Sequence, residues 1–265
     1  MIQNHEIDYR IFGEEMQYVE VELDPNETAI AEPGAFMMMD DGIVMETLFG
    51  DGSKQQNSGL LGKLLNAGKR VLVGENLFMT AFTNVDSGKR HVSFASPYPG
   101  KIIPVDLSQF GNKVICQKDA FLCAAKGVSV GIEFQRRLGT GLFGGEGFIM
   151  EKLEGDGMTF LHACGHVLRK DLSVGEILKV DTGCIVGFTS TVDYDIQFVG
   201  GIKNTIFGGE GLFFASLRGP GTVWIQTLPI SRLAGRILQY ATTSRREEGS
   251  VLGGLGNLLD GDGWR

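Results

Sequence analysis

The sequence predicts an all-β protein built from three fused repeats. A five-residue motif recurs, a fifteen-residue window aligns in three places without a gap, and apolar residues are spaced as in strands. The motif FGGEG stands at Phe143–Gly147 and again at Phe207–Gly211, 64 residues further on. A weaker version, Val73-Gly74-Glu75-Asn76-Leu77, falls where an earlier copy belongs.

The aligned windows are Ala35–Phe49 (AFMMMDDGIVMETLF), Ala120–Phe134 (AFLCAAKGVSVGIEF) and Cys184–Phe198 (CIVGFTSTVDYDIQF). Each opens with a small residue and a large apolar one and closes on Phe. In the third, Val192, Tyr194, Ile196 and Phe198 alternate with Asp193, Asp195 and Gln197, the period of a strand with one wet face. The middle of each window, at Asp40-Asp41-Gly42, Lys126-Gly127 or Ser190-Thr191, has turn chemistry. Each window is therefore expected to be a β-hairpin.

The phase extends in both directions. Val21-Glu22-Leu23-Asp24, Val105-Asp106-Leu107-Ser108 and Lys170-Asp171-Leu172-Ser173 precede their windows by 12 or 13 residues, counted from the leucine. Downstream, Phe134 to Glu146 and Phe198 to Glu210 are each 12 residues, whereas Phe49 to Glu75 is 26. A second hairpin pattern follows each glutamate: Leu77–Thr83 with Arg90–Ser96, Phe148–Leu153 with Met158–Ala163, and Leu212–Leu217 with Thr222–Thr227. The repeats are expected at 18–100 (with an insertion at 51–70), 102–165 and 167–229.

A lone unit of about 65 residues buries too little surface to be secure. Three units can share a core and cover one another's edges. A single domain around a pseudo-threefold axis is the expectation, and no Ser/Pro-rich linker divides the chain. Two pieces stand outside the repeat. Leu60–Arg70 reads as a short helix with an apolar and a basic side, suited to a membrane surface, a partner or an open barrel end. After the last repeat, Ser231–Tyr240 reads as a helix with a serine N-cap, followed by a glycine/leucine-rich tail to residue 265.

Composition narrows the function classes. The 39 glycines in 265 residues fit many turns and bulges. A net charge of −8 disfavours nucleic acid as a partner. Four cysteines form neither a CxxC pair nor a disulfide framework. The chain opens without a basic segment followed by an apolar core, and no run of 18 or more apolar residues occurs. A cytoplasmic location is the expectation.

The repeated windows, the two FGGEG motifs, the Gly-Leu-Leu-Gly-Lys-Leu-Leu insertion before Gly74-Glu75 and the Gly/Leu-rich ending resemble the mitochondrial-biogenesis, altered-inheritance-of-mitochondria family. The resemblance spans roughly 5–229. It implies a fold like that of the tryptophan RNA-binding attenuation protein, with double-stranded β-helix or sandwich units in three fused copies. It also implies a scaffolding role, and supplies no active site to carry over.

Residues with chemical potential are few. His162, Cys164 and His166 lie at i, i+2 and i+4 of a predicted strand, so all three are expected on one face. They are the candidate metal ligands, but they lack a fourth ligand for zinc; a partly exposed strand face with a buried thiol is the competing expectation. Glu75, Glu146 and Glu210 are expected to tie loops at the repeat junctions, with convergence on the pseudo-threefold axis as the alternative. FGGEG lacks both phosphate-loop fingerprints. Cys116, Cys123 and Cys184 fall in apolar patterns, and His5 and His91 read as isolated and exposed. No catalytic constellation and no cofactor are expected. The function read from the residues is a non-enzymatic scaffold or interaction protein, self-associating through 60–70 or the tail, with peripheral membrane contact as one mode. The alternatives are a small-molecule or metal-binding module, or an enzyme of unknown class.

Overall fold

The computed structural model describes residues 5–49, 78–136, 148–198, 213–238 and 240. A leading strand, β1 (Asp8–Phe12), is followed by β2 (Tyr18–Leu23), β3 (Thr28–Ala31), β4 (Phe36–Met39), β5 (Ile43–Phe49), β6 (Phe78–Asn84) and β7 (Arg90–Ala95). The second repeat supplies β8 (Gly100–Asp106), β9 (Lys113–Gln117), β10 (Phe121–Ala125), β11 (Ser129–Arg136), β12 (Phe148–Glu154) and β13 (Met158–Cys164). The third supplies β14 (Val167–Leu172), β15 (Ile177–Asp181), β16 (Ile185–Thr189), β17 (Asp193–Phe198), β18 (Phe213–Arg218) and β19 (Gly221–Gln226). A helix covers 230–238.

One pairing rule holds in every repeat. The sixth strand pairs with the first and third, giving β2-β7-β4, β8-β13-β10 and β14-β19-β16. The fifth pairs with the second and fourth, giving β3-β6-β5, β9-β12-β11 and β15-β18-β17. The repeats are then joined by the third strand of one against the second strand of its predecessor. Cys123, Ala124 and Ala125 of β10 face Ala31, Ile30 and Ala29 of β3. Gly187, Phe188 and Thr189 of β16 face Cys116, Ile115 and Val114 of β9 in the same register.

These junctions produce four sheets: a four-stranded one (β1-β2-β7-β4), two six-stranded ones (β5-β6-β3-β10-β13-β8 and β11-β12-β9-β16-β19-β14) and a three-stranded one (β15-β18-β17). Three apolar cores fill the spaces between successive sheets. Val19, Val21, Leu23, Val92 and Phe94 of the first sheet meet Ala29, Ala31, Phe82 and Phe160 of the second. Ile30, Ala124, Leu161 and Ala163 of the second meet Val114, Cys116, Leu153 and Trp224 of the third. Ile115, Met150, Phe188 and Val223 of the third meet Val180, Ile196, Ala215 and Leu217 of the fourth.

That layering explains the sequence patterns. The six-stranded sheets are covered on both faces, so β10 (FLCAA) and β16 (IVGFT) are buried at every residue and read as continuous apolar runs. The outer sheets keep one wet face. From Val192 into β17 the expected alternation appears, with Val192 and Ile196 buried while Asp193, Asp195 and Gln197 are exposed. Each fully buried phenylalanine, among them Phe82, Phe94, Phe160 and Phe188, is worth roughly 1.5–3 kcal/mol of transfer free energy.

The all-β, three-repeat class predicted from the sequence is the observed one, but the connections differ from the expected hairpins. The two strands of each aligned window enter different sheets, as do the strands of each pattern after the glutamates. The true hairpins are β1–β2, β5–β6, β11–β12 and β17–β18. A glycine turn serves a sheet-crossing corner as well as a hairpin: Gly42 (φ 91°) and Gly127 (φ 108°) occupy the left-handed region at two such corners. In the third copy Thr191 takes that place, its hydroxyl 3.2 Å from that of Thr189. The helix begins at residue 230, immediately after Pro229, whose carbonyl accepts from the Arg232 and Leu233 N–H groups. Ser231 is thus inside the first turn and not its N-cap.

Candidate functional site

A polar seam gathers around the short 3-10 turn Lys118–Ala120, which links β9 to β10 where repeats 1 and 2 meet. Tyr98, in the connection from β7 to β8, donates its hydroxyl to the Asp119 carbonyl at 3.0 Å. Its ring centroid lies 4.9 Å from that of His162 in β13, the planes inclined by 50°. His162 Nδ1 is 3.4 Å from Ser96 Oγ, and the Ser96 hydroxyl donates to the Tyr98 carbonyl at 3.0 Å. Glu32 directly follows β3, and its N–H donates to the Leu122 carbonyl at 3.1 Å across the repeat junction. Glu151, in β12, stands opposite Cys116 of β9.

Burial dominates the electrostatics. Only 3% of Glu151 is exposed, and burial, reinforced by Glu32, lifts its pKa to about 8. Glu32 is raised to about 7 by burial and the Asp119 carboxylate, with Lys118 opposing. Glu32 thus adds to the cost of ionising Glu151. His162, also 3% exposed, is pulled down to about 4 by burial although it bonds the Phe121 carbonyl; it is neutral at pH 7. Burial pushes the Tyr98 hydroxyl and the Cys116 thiol up. A buried thiol so raised is a poor nucleophile.

The structure separates the candidate metal ligands. His162 and Cys164 are buried in β13, which ends at Cys164. Gly165 (φ 77°) then turns the chain, and His166 is exposed, its N–H donating to Thr227 Oγ1 at 2.9 Å. The single face expected for all three is therefore broken at Gly165. Among the described residues, no group of three or more His, Cys, Asp or Glu side chains is placed to hold a metal ion. Glu75, Glu146, Glu210, the 60–70 insertion and the tail lie outside the described residues; the two FGGEG motifs fall in the β11–β12 and β17–β18 connections.

Three further expectations are corrected. His5 is half-buried, with Nδ1 accepting from the Thr28 N–H at 3.0 Å. His91 bridges two carboxylates, Asp40 at 3.0 Å and Glu22 at 3.3 Å. Cys184 is half-buried at a 3-10 turn, 4.0 Å from the Arg232 guanidinium, unlike the fully buried Cys116 and Cys123. Sequence reasoning missed the carboxylate pair altogether. The available signal was Glu151 directly after the apolar Phe148–Met150.

Fold and seam together define a class: an all-β protein of three pseudo-equivalent repeats, with its polar chemistry concentrated at a repeat junction. The Mitochondrial biogenesis AIM24 family model matches residues 9–228, and the chain belongs to that family. An uncharacterized protein of Streptococcus pyogenes serotype M6 is 29% identical over 230 residues, covering 85% of this chain and 87% of the relative. A crystal structure of another Streptococcus pyogenes protein superposes with a TM-score of 0.69 at 22% identity, over 88% of this chain and 99% of that one. That likeness is one of fold. The family description names mitochondrial biogenesis, and against it the expected cytoplasmic location is withdrawn. That expectation rested on the absence of a recognisable leader, and such an absence does not locate a protein.

Proposed function

We propose that this protein is a non-enzymatic scaffold that works by binding other protein surfaces, its own copies among them. One observation carries the reading: large apolar side chains are exposed together at the corner between the first two sheets. Phe36, Met37, Met38 and Met39 on β4 are 38–47% exposed, and Val44 and Met45 on the adjoining β5 are 44% and 45% exposed. Other exposed apolar residues, such as Val85, Leu168 and Val174, lie on other segments. An exposed methionine-rich strand suits association, because the unbranched thioether adapts to many partner shapes.

The test compares the full chain with variants lacking 60–70 or 250–265, and with Met37→Ser/Met38→Ser. Light scattering reads the mass, and co-sedimentation with anionic vesicles reads membrane contact. Assembly that weakens on the methionine substitution supports a protein-binding scaffold. A monomer of 28.7 kDa that sediments with vesicles through 60–70 would replace it with a membrane-binding role.

A further inference from the structure

We propose that copies of this protein associate head to tail, with β4 of one chain pairing antiparallel with β15 of the next. This deepens the self-association proposed above and rests on it. Within the chain, the third strand of a repeat pairs with the second strand of its predecessor twice, as β10 on β3 and β16 on β9. The remaining members of those two sets are β4 and β15. Both end their sheets, the four-stranded one at β4 and the three-stranded one at β15, with two complete six-stranded sheets in separate layers. Among the described residues they do not pair with each other, so the third junction of the cycle is unmade within one chain.

Burial marks the same difference. Strands β10 and β16 are buried at all five residues, while every residue of β4 is exposed. Strand β3 is buried throughout, whereas β15 has Ile177 and Lys179 exposed. An apolar strand with unpaired backbone groups is a template for another strand. The internal junctions also set the register. Met38 corresponds to Cys123 and Gly187, and Val180 corresponds to Ala31 and Cys116. Met38 therefore pairs with Val180 of the next copy, Met39 with Lys179, and Asp40 with Leu178. The two edges differ from each other, so the contact is heterologous and propagates as a ring or chain of copies.

The experiment uses the full-length protein and a charge exchange at exposed positions. Met39→Lys opposes Lys179 across the contact and is expected to weaken association about tenfold. Adding Lys179→Glu to the same chain is expected to restore it. Oxidation of a Met38→Cys/Val180→Cys double variant is expected to give a ladder of disulfide-linked multimers, and each single variant none. Multimers from Met38→Cys alone would overturn the head-to-tail arrangement in favour of a symmetric β4 contact. A wild-type assembly indifferent to all these changes, but dissolved by deleting 60–70 or 250–265, would overturn the inference while leaving the scaffold reading intact. A wild type that is monomeric at every concentration would overturn the inference together with the self-association on which it rests.

Discussion

Glu151 lies directly opposite Cys116 across the β12–β9 ladder, which places a carboxyl in the interior of a sheet covered on both faces. A thiol cannot compensate a carboxylate there, and Lys118 opposes its raised pKa only in part. The group is protonated at neutral pH because ionising it would cost more than holding the proton.

Stability should fall as the solution becomes alkaline. Glu151 and Glu32 have folded pKa values of about 8 and about 7, both above the ordinary 4.5. The native state holds protons that the unfolded chain has released, so stability is lost as pH rises from about 4.5 through the folded values. Thermal melts at pH 5.5 and pH 8.5 should differ by several degrees. Glu151→Gln should remove most of that difference and raise stability at pH 8.5 by on the order of 2 kcal/mol.

His162 acts in the opposite direction at acid pH. Its folded pKa, about 4, lies below the ordinary 6.5. The unfolded chain therefore binds the extra proton first, and stability is lost as pH falls from about 6.5 toward 4. The two effects oppose each other between about 4.5 and 6.5. Glu151→Gln should accordingly expose a steeper acid limb, and His162→Gln should flatten it. Chemical denaturation across that range reads both slopes.

Gly187 should be the most sensitive small residue at the junction of repeats 2 and 3. A Cβ there would stand 2.8 Å from the Ile115 carbonyl oxygen and 3.2 Å from Cys116 Cβ, both part of the partner strand. Gly187→Val should destabilise by about 1–3 kcal/mol through overpacking. Gly34 is the control for steric crowding, since nothing lies within 4 Å of its Cβ position although its φ is 92°. Urea midpoints of the two variants distinguish crowding from backbone strain.

The repeats were legible because their strands keep one phase: Ala35, Ala120 and Cys184 begin matching windows, and Val192 and Ile196 show period-two burial as read. The connections were not legible, because Gly42 and Gly127 suit a corner between sheets as readily as a hairpin. The carboxylate seam escaped for a related reason. Glu32, the adjacent Lys118-Asp119 and Glu151 are distant in sequence and meet only when β10 pairs with β3 and β12 with β9. His162, Cys164 and His166 show the converse: regular spacing was broken by one left-handed glycine, Gly165.

As the two halves of a missing junction, β4 and β15 are tested most directly by amide hydrogen exchange against protein concentration. Protection should rise with concentration at Met37–Met39 and at Leu178–Val180 together, while β3 and β10, already paired within the chain, stay unchanged. Exchange at both edges that does not depend on concentration would contradict it.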